Sequence, residues 1–330
     1  MKRKLLDIAR RLLILLLVVW TVVSLVTILI ELVPGDPATA ILGDQATPEA
    51  LAQFRQKHGL DRPAFFFSYT ADEEDGPRRF KWNGADNRYV DYWRSILRGD
   101  MGNSFRTDRP VRELILSRYG ATIQLALAAL LVAVAIAVPL GVVAGTNRGN
   151  LLDNALSVVA LVGISLPSFV VGPLLIYVFA VWLGWVQASG RFGWSSIILP
   201  AVTLGAALSA LLTRMVRSSV IEEMGEDYVR TARAKGLREG TVVMRHALRN
   251  ALIPIITVLG LDFGYYLTGS ILTETIFSWP GLGRYVVNAI TRRDLPAIQG
   301  AVLFLSVVFV LVNLITDLAY AKADPRVAYD

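Results

Sequence analysis

Six long apolar blocks constrain this chain more than any other feature of its sequence. They run over residues 12–32, 122–144, 156–183, 197–215, 252–273 and 297–319. A helix crossing roughly 30 Å of hydrocarbon needs about 20 mostly apolar residues at about 1.5 Å of rise each, so every block is expected to be a transmembrane helix. Composition agrees: 54% of the 330 residues are hydrophobic and 18% charged, against roughly 45 to 50% and 25% in soluble chains. Mean hydropathy is +0.50. The expected fold class is an all-α membrane protein of six transmembrane helices, with a small extracytoplasmic insertion between the first two.

The net charge of +6 does not point to nucleic acid, because the Lys and Arg residues lie between apolar blocks, where membrane topology accounts for them. Cysteine is absent, which removes disulfide frameworks, Cys-based zinc sites and thiol catalysis. The first block follows Lys2, Arg3, Lys4, Arg10 and Arg11, and Ala38-Thr39-Ala40 fits a signal-peptidase pattern. Its apolar core is longer than a typical signal sequence, and Pro34-Gly35-Asp36-Pro37 looks like a structured exit from the membrane, so an uncleaved span is expected. With the N-terminus inside, the inner segments hold sixteen Lys and Arg and the two short outer loops four: Arg191, Arg284, Arg292 and Arg293. That asymmetry places both termini, 1–11 and 320–330, in the cytoplasm.

The outer segment, 33–119, mixes charges with turn signals such as Asp75-Gly76-Pro77 and Asn83-Gly84 and reads as a small extracytoplasmic domain. Tyr89, Tyr92, Trp93, Ile96 and Leu97 recur at helical spacing, predicting an amphipathic helix against the membrane or the bundle. Residues 72–84 read as an exposed loop, and Phe65-Phe66-Phe67-Ser68-Tyr69 as interface packing. Neither a phosphate-binding loop, an H-E-x-x-H pair nor a G-x-S-x-G elbow occurs. Ser165, before Pro167, is expected to bond helix carbonyls around a kink. His58 and His246 fall on opposite sides of the expected membrane. No cofactor or metal is therefore expected in this chain, and no catalysis.

The loop 216–250 is long, charged and patterned, and reads as two helices around Gly236. Glu222, Glu223, Glu226 and Asp227 are placed near the start of the first helix, with Arg233 and Lys235 near its end. Tyr228, Ala232 and Lys235 fall on one face, and Ala234 and Gly236 keep the turn slim enough for another protein to approach. One reading is a docking knob; the other is a solvated, positively charged loop.

The run Glu226-Asp227-Tyr228-Val229-Arg230-Thr231-Ala232-Arg233-Ala234-Lys235-Gly236-Leu237, followed by His246-Ala247-Leu248-Arg249-Asn250, resembles the signature loop of binding-protein-dependent ABC permeases. It is most similar to the dipeptide and oligopeptide permease group, which includes nickel and glutathione importers. Further matches are Pro34-Gly35-Asp36-Pro37, Gly59-Leu60-Asp61-Arg62-Pro63, Gly99-Asp100-Met101-Gly102-Asn103-Ser104, Ser165-Leu166-Pro167-Ser168-Phe169, Glu274-Thr275-Ile276-Phe277, Pro280-Gly281-Leu282-Gly283 and Asp324-Pro325-Arg326. Arg230, Thr231 and Ala232 replace the general Glu-Ala-Ala opening, as they do in the peptide group. The resemblance implies a type I ABC importer permease in the bacterial inner membrane, carrying peptides, or in the alternative nickel or glutathione. It implies as partners a second homologous permease subunit, two ATPase subunits holding ATP and Mg, and an extracytoplasmic substrate-binding protein. Residues 226–237, with His246, would form the coupling helix. A secondary transporter is the rival from another class.

Asp262 lies near the middle of its span, where an ionisable group faces a cavity or a partner helix. It is the first translocation-path candidate, with an interhelical hydrogen bond as the other reading. Glu31 and Glu274, near outer span ends, are the other candidates: each could attract a peptide amino terminus or simply sit at the interface. Gly141-x-x-x-Gly145 and Gly260-x-x-x-Gly264 predict close helix crossings, and Gln124, Asn288, Asn313 and Asp317 interhelical hydrogen bonds.

Overall fold

A computed structural model describes residues 2–32, 35–43, 45–71, 78–267 and 270–323. Pro34, the Asp75-Gly76-Pro77 turn and the Asp324-Pro325-Arg326 tail lie outside the described residues. The chain divides into two units, Met1–Arg118 with Tyr285–Val307, and Tyr119–Arg284 with Val308–Asp330. Among the described residues, five stretches are long and apolar enough to cross a membrane: Leu13–Leu32, Val111–Thr146, Trp194–Glu223, Glu239–Leu267 and Leu295–Thr316. The pair Leu151–Ser165 and Ser168–Trp182, bent by 100°, makes a sixth if the two helices are one broken span.

In the first unit, helix α1 (Lys2–Leu32) leads into α2 (Pro37–Leu42) and α3 (Pro48–Lys57). Asp36 caps α2, its Oδ1 accepting from Ala38 N at 3.1 Å, and Pro37 occupies the first turn, where a missing N–H costs nothing. The expected exposed loop is partly a hairpin: β1 (Phe67–Ala71) pairs antiparallel with β2 (Arg78–Trp82), Phe67 facing Trp82. Alternation of Arg78, Phe80 and Trp82 with Arg79 and Lys81 supplies the period of two that favours a strand.

Helix α4 (Arg88–Leu97) begins at Asn87, whose Oδ1 accepts from Val90 N at 2.9 Å. Its Tyr92, Trp93 and Ile96 pack with Val19 and Val23 of α1 and with Leu303. Leu97, expected on that face, is 86% exposed, because it lies at the helix end and is turned away from Tyr92. The insertion is thus not a separate domain. Its aromatic face finds its partners in α1 and in the start of the last helix.

The second unit is organised by α8 (Ile198–Glu223), which packs with α5 (Val111–Thr146) and α11 (Leu248–Leu267). Leu208, Leu212, Val216 and Val220 of α8 meet Ala126, Ala129, Ala133 and Ala137 of α5 and Leu248, Ala251 and Ile255 of α11. The alanine stripe continues into Gly141 and Gly145, where the approach becomes tightest. A Cβ on Gly141 would lie 2.5 Å from Val216 Cβ and 2.8 Å from the Thr213 carbonyl oxygen. Gly260 and Gly264 similarly face Thr316 and Val312 of α14 (Leu295–Ala323). Helices in lipid gain little from hydrophobicity against each other, so such close backbone contact is what holds them.

The block expected as one span over 156–183 is broken at Leu166-Pro167 between α6 (Leu151–Ser165) and α7 (Ser168–Leu175), with a π-helical continuation over Ile176–Trp182. Ser165 Oγ donates to Leu161 O at 2.9 Å, taking up a carbonyl beside the break. In the fifth block, α11 is described as far as Leu267, and Ile271–Ile276 forms a separate short helix, α12. Gln124, expected between helices, instead accepts from Arg191 Nε and Nη2 at 3.1 and 2.8 Å.

Replacing Gly141 by Leu should lower stability in detergent by about 1–3 kcal/mol through overpacking against α8. Gly120→Ala, where a Cβ meets nothing within 4 Å, should leave the melting temperature unchanged or raise it. Equal melting of Gly141→Leu and the parent chain would contradict the tight crossing.

Candidate functional site

The patterned loop after α8 folds differently from expectation at its start. Helix α8 runs on to Glu223, so Glu222 and Glu223 close α8 and do not open the following helix. The chain turns at Gly225, Glu226 takes extended backbone, and α9 (Asp227–Ala234) begins with Asp227 in its first turn, where a carboxylate opposes the helix dipole. Val229 and Ala232 are buried with Val242, and Met224 and Tyr228 pack around them. The Tyr228 hydroxyl donates to Glu223. Burial first, and that carboxylate next, push its pKa up.

The end of α9 is a complete glycine cap. Gly236 has φ +77, its N–H donates to Arg233 O at 2.9 Å, and Leu237 N donates to Ala232 O at 3.4 Å. Arg233 spans the turn, its Nη2 and Nε reaching Glu239 at 2.6 and 3.1 Å, and the Glu239 carboxylate holds the guanidinium pKa up. Helix α10 (Glu239–Thr241) and a π-helical turn over Val242–Ala247, which carries a partly buried His246, lead into α11.

Ala232 therefore faces inward, correcting the expected outward face of Tyr228, Ala232 and Lys235. The face left to solvent carries Asp227, Arg230, Thr231, Ala234, Lys235 and Leu237. The sequence pattern placed Tyr228 and Ala232 together correctly but could not say which side they took, because the partner that buries them, Val242, comes after the turn.

Glu274 is fully buried in α12. Its Oε1 accepts from Thr122 Oγ1 at 2.8 Å and its Oε2 from Arg284 N at 2.9 Å, while Thr122 Oγ1 accepts from Leu282 N at 2.8 Å. The two side chains together cap α13 (Leu282–Thr291). A Cβ at Gly281 would collide with the carboxylate, so the Pro280-Gly281 turn must be slim. Next to it, Trp279 Nε1 donates to Ala121 O at 2.8 Å. Glu274 is thus an internal staple in this structure, which corrects its reading as a path residue: both oxygens are already engaged by the chain itself.

Asp262 lies on the stripe of α11 that carries buried Ile255 and Tyr266, and its Oδ2 is buried with no hydrogen-bond partner. The expected interhelical bond for that oxygen is absent among the described residues. Glu31 Oε1 instead accepts from Arg88 Nη2 at 2.7 Å. Asp262 and Glu274, both in the second unit, thus occupy different surroundings.

Two pairings escaped sequence reasoning. Thr122 is one, since nothing in its local pattern ties it to Glu274. The other joins Arg217 Nε and Nη2 to Asp153 at 2.5 and 2.8 Å, with the Asp153 side chain 2% exposed. A buried acid at the start of an apolar block was the available signal, but spacing alone does not name its partner.

Residues 137–329 match the family described as "Binding-protein-dependent transport system inner membrane component", and residues 4–72 match its N-terminal companion family. The chain is 40% identical over 311 residues to the glutathione transport system permease protein GsiC of Salmonella paratyphi A, covering 93% of this chain and 94% of that protein. Against GsiC of Escherichia coli strain K12 the identity is 39% over 320 residues, 97% and 98% of the two chains. Its fold is similar to that of the inward-facing MetNI methionine ABC transporter, with a TM-score of 0.54 and 16% identity over 64% of this chain and 96% of that one.

Glu274→Ala should destabilise the chain by about 1–3 kcal/mol for each donor left unsatisfied, read as a lowered melting temperature in detergent. Asp262→Leu should raise that temperature, since it removes an unpaired buried acid. A lowered melting temperature for Asp262→Leu would reveal a partner for the carboxylate.

Proposed function

The chain belongs to the family of binding-protein-dependent inner-membrane transport components, within its peptide and nickel permease group, and we propose that the solute it carries is a short peptide, with glutathione the leading member of that class. The chain is a permease subunit of an ABC importer, a multi-pass inner-membrane protein whose ATPase and substrate-binding functions belong to partner subunits. What supports the solute class is the 40% identity to a glutathione permease sustained over 93% of the chain. Glutathione is itself a tripeptide, so this reading and the peptide reading share one chemistry: a free ammonium, carboxylates and amide groups. This chain is one half of the path in the proposal, and a second homologous permease subunit completes it, with both termini in the cytoplasm.

The proposed coupling surface is the solvent face of α9. Val229 and Ala232 bind α9 to its own chain, while the glycine cap and the Arg233–Glu239 bridge stiffen its end. A stiff element set between α8 and α11 transmits a push to both helices, whereas a floppy loop would absorb it. ATP and Mg are held in the partner ATPases, and their closure would press on Ala234 and Leu237. Asp262 remains the candidate for the path, because an unpartnered acid inside a span calls for a ligand or partner subunit to meet it.

Ala234→Trp is expected to leave the melting temperature unchanged while abolishing co-purification of the ATPase subunits or uncoupling ATP hydrolysis from uptake. Ala232→Trp should lower the melting temperature itself, by displacing Val242. Normal coupling in Ala234→Trp would remove the α9 surface from the mechanism. For the solute, uptake of labelled glutathione by cells carrying the complete importer and no other glutathione route is the direct measurement. Uptake of dipeptides without glutathione would keep the peptide class and discard glutathione; uptake of nickel alone would discard both.

A further inference from the structure

In the hairpin of the first unit, Phe67 and Trp82 stand directly opposite each other across β1 and β2. Their rings meet edge to face at 4.6 Å, yet Phe67 is 61% and Trp82 63% exposed. Side chains alternate between the two faces of a strand, so Ser68 and Lys81, the next opposed pair, fall on the other face. Lys81 is exposed there, and the Ser68 hydroxyl donates to Asn83 Oδ1 at 3.4 Å. One face is thus aromatic and the other polar. A two-stranded hairpin is only marginally stable in water by itself, and two large rings left in solvent add to the cost.

The base of the hairpin is tied to a membrane span. Trp82 stacks on Phe66 with ring centres 6.0 Å apart, Phe66 meets Tyr89 at 6.0 Å, and the Tyr89 and Ser24 hydroxyls share a hydrogen bond at 2.7 Å. Ser24 lies within the span Leu13–Leu32, and Arg88, beside Tyr89, pairs with Glu31 near the end of that span. From Ser24 to Leu32 the helix rises about 12 Å at about 1.5 Å per residue. Laid end to end, the contacts from Trp82 to Ser24 reach about 18 Å at most, so the indole stands no more than about 6 Å beyond the end of the span. The headgroup layer of a bilayer is about 5–7 Å deep on each side, and the exposed rings fall within it.

The hairpin is also polarised along its length. The segment joining its strands reads Asp72-Glu73-Glu74-Asp75, four acids that lipid phosphates repel. The Phe67–Trp82 pair is the one farthest from them. Aromatic rings with a neighbouring Lys suit a membrane interface, where the rings sit among the headgroups and the ammonium reaches phosphate or water. A soluble protein would have to displace headgroups to cover rings at this depth.

We propose that the aromatic face of this hairpin is seated in the headgroup region of the bilayer, with Phe67 and Trp82 toward the acyl chains and Lys81 toward phosphate and water. The acidic connection then stands clear of the lipid. The contact holds the insertion against the membrane plane and is independent of which solute the importer carries.

The test uses the absence of cysteine from the chain. Phe67→Cys, Trp82→Cys and Lys81→Cys, each labelled with bimane, are built into the complete importer with cysteine-free partner subunits, in nanodiscs of phosphatidylethanolamine and phosphatidylglycerol. Phosphatidylcholine with a nitroxide near the top of its acyl chain quenches from within the bilayer, and iodide quenches from water. The labels replacing Phe67 and Trp82 are expected to lose fluorescence to the nitroxide lipid and to be shielded from iodide, with the reverse at Lys81. Melting temperatures identify the variants that fold like the parent chain, and either aromatic position decides. Fluorescence there that the nitroxide lipid leaves unchanged, or iodide quenching equal to that at Lys81, would overturn the proposal. So would shielding that arises only when the extracytoplasmic binding protein is added, which would assign the face to that protein.

Discussion

Two helices surrounded by hydrocarbon gain almost nothing from hiding apolar surface from each other, because lipid tails are as apolar as leucine. What remains is close contact of backbones, and in the second unit that contact rests on one stripe of α5. Ala126, Ala129, Ala133 and Ala137 are buried against α8, and Gly141 and Gly145 bring the same stripe onto Val216 and Val220. The opposite chemistry would fail at this place: one added carbon at Gly141 meets the Thr213 carbonyl oxygen as well as Val216. Because α8 is pressed to α5 in this way, its remaining surface is free to receive α11 and to extend past the apolar block as far as Glu223. The α9 surface exists where it does because α8 continues that far.

Polar groups in the second unit are treated in two ways. Asp153 and Glu274 are buried, but each is met on both oxygens: Arg217 and the Gly149 N–H for the first, Thr122 and the Arg284 N–H for the second. Burying an acid is costly unless it is paired in this fashion, and a fully paired one holds its neighbours in a single geometry. Each ties two helices together that are distant in sequence. Asp262 departs from the pattern, with Oδ2 left unmet. An acid that costs stability and returns no internal bond is the feature by which it stands apart from the structural pair, and it is the physical basis for placing it on the proposed path.

The coupling loop joins local and non-local effects. Its glycine cap is local: Gly236, two residues after Ala234, ends the helix by adopting a conformation other residues resist. Its orientation is non-local, since Val242 decides that Val229 and Ala232 turn inward. The same division explains the insertion after α1. The spacing of Tyr89, Tyr92, Trp93 and Ile96 already announced an amphipathic helix, yet the helix packs on Val19, Val23 and Leu303, residues brought to it from opposite ends of the chain.

The sequence by itself determined the class of the protein: six apolar blocks of membrane length, a glycine-centred charged loop, and motifs enough to place the chain among binding-protein-dependent permeases. These are properties of composition and of short spacing, and neighbouring residues suffice to express them. The kink at Pro167 was legible in the sequence, but tertiary structure alone decided that it opens to 100°, that Glu274 caps a helix instead of facing a path, and that Ala232 is hidden while Ala234 is exposed. Each of those outcomes depends on which distant atoms arrive at hydrogen-bonding or van der Waals distance. A carboxylate in an apolar stretch reads the same in sequence whether Thr122 stands beside it or nothing does, and only the packing of the helices distinguishes the two.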